Sequence, residues 1–90
     1  GLGDVYKRQI VGTWESLNLH PTVMIYPSKK KYLLSMLHVS DNGQAQPATY
    51  EIQKEDSRYF IVSAFKRLYI GYDKAKDSLS ISYYGNYLRN

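Results

Sequence analysis

The sequence predicts an all-β domain, a small antiparallel up-and-down barrel or half-barrel of about eight short strands. Three observations carry that prediction. Apolar and β-branched residues fall in short runs, and turn-forming residues recur about every ten positions. Aromatic residues make up 14% of the chain, with ten tyrosines against two phenylalanines, a bias toward half-buried pleated surfaces. The chain has 90 residues and no cysteine, so one small core must be stabilised by apolar packing without disulfide or zinc–thiolate staples.

Ile10–Ser16 reads as the first strand and holds the only tryptophan, Trp14. A buried tryptophan removes on the order of 200 Å² from water, enough to dominate packing in so small a domain. Gly12 lacks a Cβ and lets another group approach closely. After a loop at Asn18–His20, Pro21 permits an edge-type entry to Thr22–Tyr26, and Pro27 stops that strand. Ser28–Lys31 is a turn whose lysines are solvated. Tyr32–Val39 fits helix or strand by hydrophobicity; its length and the Asp41-Asn42-Gly43 turn decide for strand. Gln44–Pro47 is expected as a loose connection, and Thr49–Lys54 then alternates, with Tyr50 and Ile52 on one face.

Glu55–Ser57 turns the chain into Arg58–Ser63, and Phe65–Tyr72 follows, with Leu68 and Ile70 on one face. Asp73–Asp77 is a polar hairpin loop. Leu79, Ile81 and Tyr83 alternate with Ser80 and Ser82, so the first set is expected inside. Gly85-Asn86 is expected as a two-residue turn before a last strand, Tyr87–Arg89. The candidate interior set is Leu33, Leu37, Ile52, Phe60, Val62, Leu68, Ile70, Leu79 and Ile81. An eight-stranded barrel is just wide enough for side chains or one small ligand, and residues of this size favour filling it.

Chemistry-bearing patterns are sparse. His20 and His38 are the only histidines and neither has a partner at metal-ligand spacing, so no metal or cofactor is expected. There is no Gly-x-Ser-x-Gly elbow and no phosphate loop, and the acids sit mostly at turns or strand ends, so the chain reads as non-enzymatic. No apolar run approaches the roughly 20 residues of a transmembrane helix. Two binding readings stay open. Tyr32–Val39 is apolar on both faces, and Leu34, Met36 and His38 form a candidate face for a protein partner or a second copy; the interior set serves a small hydrophobic ligand. The alternative is a single-stranded nucleic acid held by Lys29, Lys30, Lys31, Arg58, Lys66 and Arg67, interleaved with Tyr26, Tyr32, Tyr59 and Tyr69. Against it, the net charge of +4 is small for phosphate-driven affinity.

Gly12-Thr13-Trp14 resembles the opening strand of lipocalin-like proteins, whose Gly-x-Trp motif starts the barrel. Gly85-Asn86-Tyr87-Leu88-Arg89 resembles the pattern that closes several of those domains. In that family a late arginine lies across the tryptophan ring and seals one end, so the resemblance implies contact between Trp14 and Arg89, with Gly12 beside them. An ordered set of landmarks, Gly12–Ser16, Pro21–Tyr26, Ala48–Tyr50 and Tyr87–Arg89, is similar to short lipocalin-like proteins carried on conjugative elements of gut bacteria, a family with no known activity. Full lipocalins are much longer, so the resemblance implies a shallow cavity here. Residues 1–9 resemble a translated sequencing-adapter peptide found at the ends of unrelated metagenomic reading frames, and are expected to be artefactual or disordered, outside a single domain at 10–90. Without them the net charge is +3. The chain as written reads as cytoplasmic, and a leader ahead of it leaves the compartment open.

Overall fold

The computed structural model describes residues 7–89. Nine strands follow one another: β1 (Gly12–Ser16), β2 (Thr22–Ser28), β3 (Lys31–Val39), β4 (Ala45–Glu51), β5 (Gln53–Glu55), β6 (Arg58–Ser63), β7 (Lys66–Asp73), β8 (Ser78–Ile81) and β9 (Gly85–Arg89). All pairings are antiparallel, in the order β4-β3-β2-β1-β9-β8-β7-β6-β5. The two ends of that order are consecutive in the chain. β4 and β5 are two halves of one strand bent at Ile52, the first pairing with β3 and the second with β6. The sheet therefore curls into a nearly closed barrel, and the strand count exceeds eight only because of this bend. Among the described residues no helix is long and apolar enough to cross a membrane.

Register decides which side chains point inward. Trp14 lies opposite Val23, Val23 opposite Met36, and Ile25 opposite Leu34, and opposed residues share a face. Leu34 and Met36, expected on an outer partner face, are therefore fully buried in the core. Leu33 and Leu37, expected inside, are half-buried on the outside, and His38 is exposed at the strand end. Both parities of this strand are apolar, so sequence alternation held no information about its orientation.

A second correction falls on β6. Tyr59 pairs with Ile70 and Ile61 with Leu68, which turns Tyr59 and Ile61 inward. Phe60 and Val62 point out. Val62 is 43% exposed, whereas Phe60 is buried by other means: the Arg67 guanidinium lies 4.3 Å from its ring centre and Tyr69 5.9 Å away. The remaining expected interior residues, Ile52, Leu68, Ile70, Leu79 and Ile81, are all buried. Ile10 and Tyr87 complete the core at zero exposure.

Two local expectations also change. Gln44–Pro47 is not a loose connection, because β4 begins at Ala45 and pairs Pro47 with Leu37. Proline is tolerated there because the other side of β4 is left without a ladder partner at the bend. Gly85 and Asn86 lie within β9 rather than in a turn, and the turn falls one step earlier, where Tyr83 takes φ 71° and swings into solvent. Residues 7–9 form a helical turn just ahead of buried Ile10; residues 1–6, the rest of the segment expected to be artefactual or disordered, lie outside the described residues.

Tyr87 hydroxyl donates to the Pro21 carbonyl at 3.0 Å. Burial, and secondarily nearby Tyr84, push its pKa up from 10 to about 12. A raised folded-state value means a contribution fully present below pH 10 and lost as pH rises toward 12, worth on the order of 2–3 kcal/mol. Tyr87→Phe should cost about 1 kcal/mol at neutral pH through the orphaned carbonyl. Its urea midpoint should then fall less steeply than the wild type's as pH rises above 10, and equal slopes would refute this.

Candidate functional site

Three surfaces compete for function, and the first is the end where β1 begins and β9 finishes. Register sets Trp14 against Arg89. The indole is fully buried, its Nε1 donates to the Ile10 carbonyl at 2.9 Å, and the Arg89 guanidinium carbon lies 4.2 Å from the ring centre. Arg89 is otherwise committed as well. Its Nε and Nη2 donate to the two oxygens of Asp77, each at 3.0 Å, while Nη1 donates to the Val11 carbonyl and Nη2 to that of Gln9. The Tyr72 hydroxyl donates to Asp77 at 2.7 Å, and its ring meets Trp14 edge-on at 6.1 Å. Gly12 has φ 149°, and a Cβ there would stand 2.9 Å from Arg89 Nη1. Glycine is required on both counts.

The electrostatics follow from this geometry. The hydrogen bond from Arg89, then that from Tyr72, holds the Asp77 carboxyl below its ordinary range. The bond to Asp77, then burial, pushes the Tyr72 hydroxyl up, and Arg89 is raised chiefly by Asp77. A depressed carboxylate contributes stability that is present above its unfolded-state pKa and lost as pH falls through the folded value. Asp77→Asn should therefore flatten the acid limb of stability against pH, which denaturant titrations between neutral pH and about pH 3 would reveal. An unchanged limb would mean that the pair contributes nothing to acid stability. The Arg89 guanidinium is thus held by Asp77 and the Val11 and Gln9 carbonyls, and the cluster acts as a seal at this end of the barrel.

The second surface is the outer wall of β2–β4. Met24, 39% exposed, stands beside half-buried Tyr26, Leu33 and Leu37. Beneath them Ser35 is buried between two hydroxyls, Tyr26 at 3.0 Å and Thr49 at 2.8 Å. The strand expected to be two-faced is two-faced, with Leu34 and Met36 inside and Leu33 and Leu37 outside.

The third surface is the outer wall of β6–β9. Arg58 lays its guanidinium 3.7 Å from the Tyr69 ring centre, Phe60 packs against Tyr69, and Arg67 covers Phe60 while bridging Glu55 at 3.0 Å. Guanidinium on an aromatic face combines cation–π attraction with stacking. Beside this stack lies a groove of about 620 Å³ whose lining includes Lys54, Ser57, Arg58, Tyr69 and Ser82. It meets a second of about 540 Å³, and Gly71, Ser80 and Asn86 line both. The set expected for nucleic acid is divided by the fold. Arg58, Arg67 and Tyr69 share this wall, Tyr32 and Tyr59 pack against the core, Lys66 sits over Tyr83, and Lys29, Lys30 and Lys31 lie at the β2–β3 turn.

Sequence reasoning missed Asp77 and Tyr72 at the sealed end and Gly71 in the groove. Asp77 had the signature of any solvated turn acid. The groove had a faint signal, the outward serines at 78, 80 and 82, whose small size thins the wall.

Residues 2–89 match the family model described as "Domain of unknown function, B. Theta Gene description (DUF3876)", and the chain belongs to that family. No curated protein and no solved structure matches it.

Proposed function

We propose that this member of the DUF3876 family is a non-enzymatic binding module that holds a protein partner on its outside. The observation that carries this reading is the orientation of β3. Its inner residues complete a core in which Trp14, Tyr87, Ile10 and Ile61 are fully buried, while Leu33 and Leu37 keep a second apolar set on the outer wall beside Met24. A barrel wall facing water needs only one apolar face. The same packing disfavours a small hydrophobic ligand inside, because side chains already take that space. In keeping with the landmarks that resemble short lipocalin-like proteins, we place the module as an accessory of a conjugative element.

Native mass spectrometry of the full chain, purified without refolding, tests this reading. The expected result is a species heavier by a protein mass, a second copy or another chain, which disappears in Leu33→Asp/Leu37→Asp. An adduct of a few hundred daltons, retained in that variant, would overturn it in favour of a ligand within the barrel.

A further inference from the structure

We propose that the trough on the outer wall of β7–β9 is a binding site for an anionic saccharide chain, a linear sugar polymer carrying carboxylates. Its position on the opposite wall makes this proposal independent of the partner reading above. The two grooves run together because their shared floor is small. Gly71 pairs with Ser80, and Ser80 with Asn86; Ser78 lies at one end and Ser82 at the other. The closeness of Ser80 to Gly71 shows how little the floor projects: a Cβ on Gly71 would lie 2.7 Å from the Ser80 hydroxyl. The depression follows β8, so it suits an extended ligand rather than a compact one.

Charge selects the ligand further. Arg67 is engaged by Glu55 and Arg89 by Asp77. Arg58 is different. Its register partner is Glu55, whose carboxylate turns to Arg67; Arg58 rests on Tyr69, and among the described residues no acid pairs with its guanidinium. A guanidinium fixed by stacking loses little further freedom on binding and presents a planar fork to a carboxylate. Lys54, whose ammonium lies 5.8 Å from the Tyr59 ring centre, borders that end, and Lys76 stands at the other, where Asp73 is the acid in the lining. Between them the Ser80 hydroxyl donates to the Gly71 carbonyl and keeps its acceptor side, the Ser82 hydroxyl accepts from the Tyr69 N–H and keeps its proton, and the Asn86 amide offers both kinds of group to sugar hydroxyls.

Two other linear ligands fit less well. A peptide added as a strand needs a sheet edge, and β7, β8 and β9 are each paired on both sides. Single-stranded nucleic acid needs open aromatic faces for its bases, and the Tyr69 ring is already covered by Arg58, with Phe60 packed beside it.

Isothermal titration of the full chain with an oligogalacturonate, a neutral malto-oligosaccharide and an oligothymidylate decides the matter. The expected result is millimolar or tighter binding of the galacturonate alone. Arg58→Gln should weaken it about ten-fold, and Ser80→Leu, which fills the trough from an exposed position, should abolish it. Both variants should keep the wild-type circular-dichroism spectrum and melting profile, and Leu33→Asp should bind as wild type. The proposal is overturned if galacturonate fails to bind, if both trough variants bind it unchanged, or if oligothymidylate binds instead and depends on the same two residues.

Discussion

Replacing Trp14 by alanine is expected to cost about 3–5 kcal/mol. A domain of this size carries roughly 5–13 kcal/mol of net stability, so the loss takes a large share of it. The reason is the number of separate contacts that end on this one ring. Arg89 covers its face, Tyr72 meets its edge, and its indole N–H satisfies the Ile10 carbonyl. Alanine leaves a cavity that the barrel cannot collapse into, because β1 is laddered on both sides. Urea unfolding followed by far-ultraviolet circular dichroism measures the effect. A variant as stable as the wild type would show that the ring does not plug the barrel.

Arg89→Lys is expected to cost about 2–3 kcal/mol, although it preserves the charge. An ammonium is a single point and cannot reach both oxygens of Asp77 and the carbonyls of Gln9 and Val11 at once. It also gives up the planar contact with Trp14. Combining Arg89→Met with Asp77→Asn in a double-mutant cycle separates the ion pair from the rest, with a coupling of roughly 0.5–3 kcal/mol if the pair matters. Additive effects would assign the cost to stacking and carbonyl capping alone.

The fold class was legible because β-branched and aromatic runs, spaced by turn residues, leave few other options for a chain without cysteines. Facing was legible only where polar and apolar residues alternate. Leu79-Ser80-Ile81 declared its inner side, and the structure buries Leu79 and Ile81. Tyr32–Val39 and Tyr59–Val62 did not, because both parities are apolar, and there the register of neighbouring strands set the orientation. The contact between Trp14 and Arg89 was suggested by motifs, yet the group that fixes Arg89, Asp77, came from a turn where an acid is ordinary. Tertiary proximity of that kind has no local signature. The trough was hidden for a related reason: a row of serines marks a wet face whether or not the surface around it rises to form walls.

The ladder between β1 and β9 has a kinetic consequence. The contacts that Arg89 makes beside it join groups as far as 80 positions apart, the Gln9 carbonyl and the Arg89 guanidinium, and the ladder is the joint that makes the sheet a ring. Each hairpin formed earlier has an apolar inner side with nothing opposite it, so no subset of strands encloses the core. During synthesis the ring cannot close until Arg89 has left the ribosome, and until then those inner sides are open to chaperones and to other nascent chains. Search for so distant a partner places folding in the slow range of small β proteins, milliseconds to seconds.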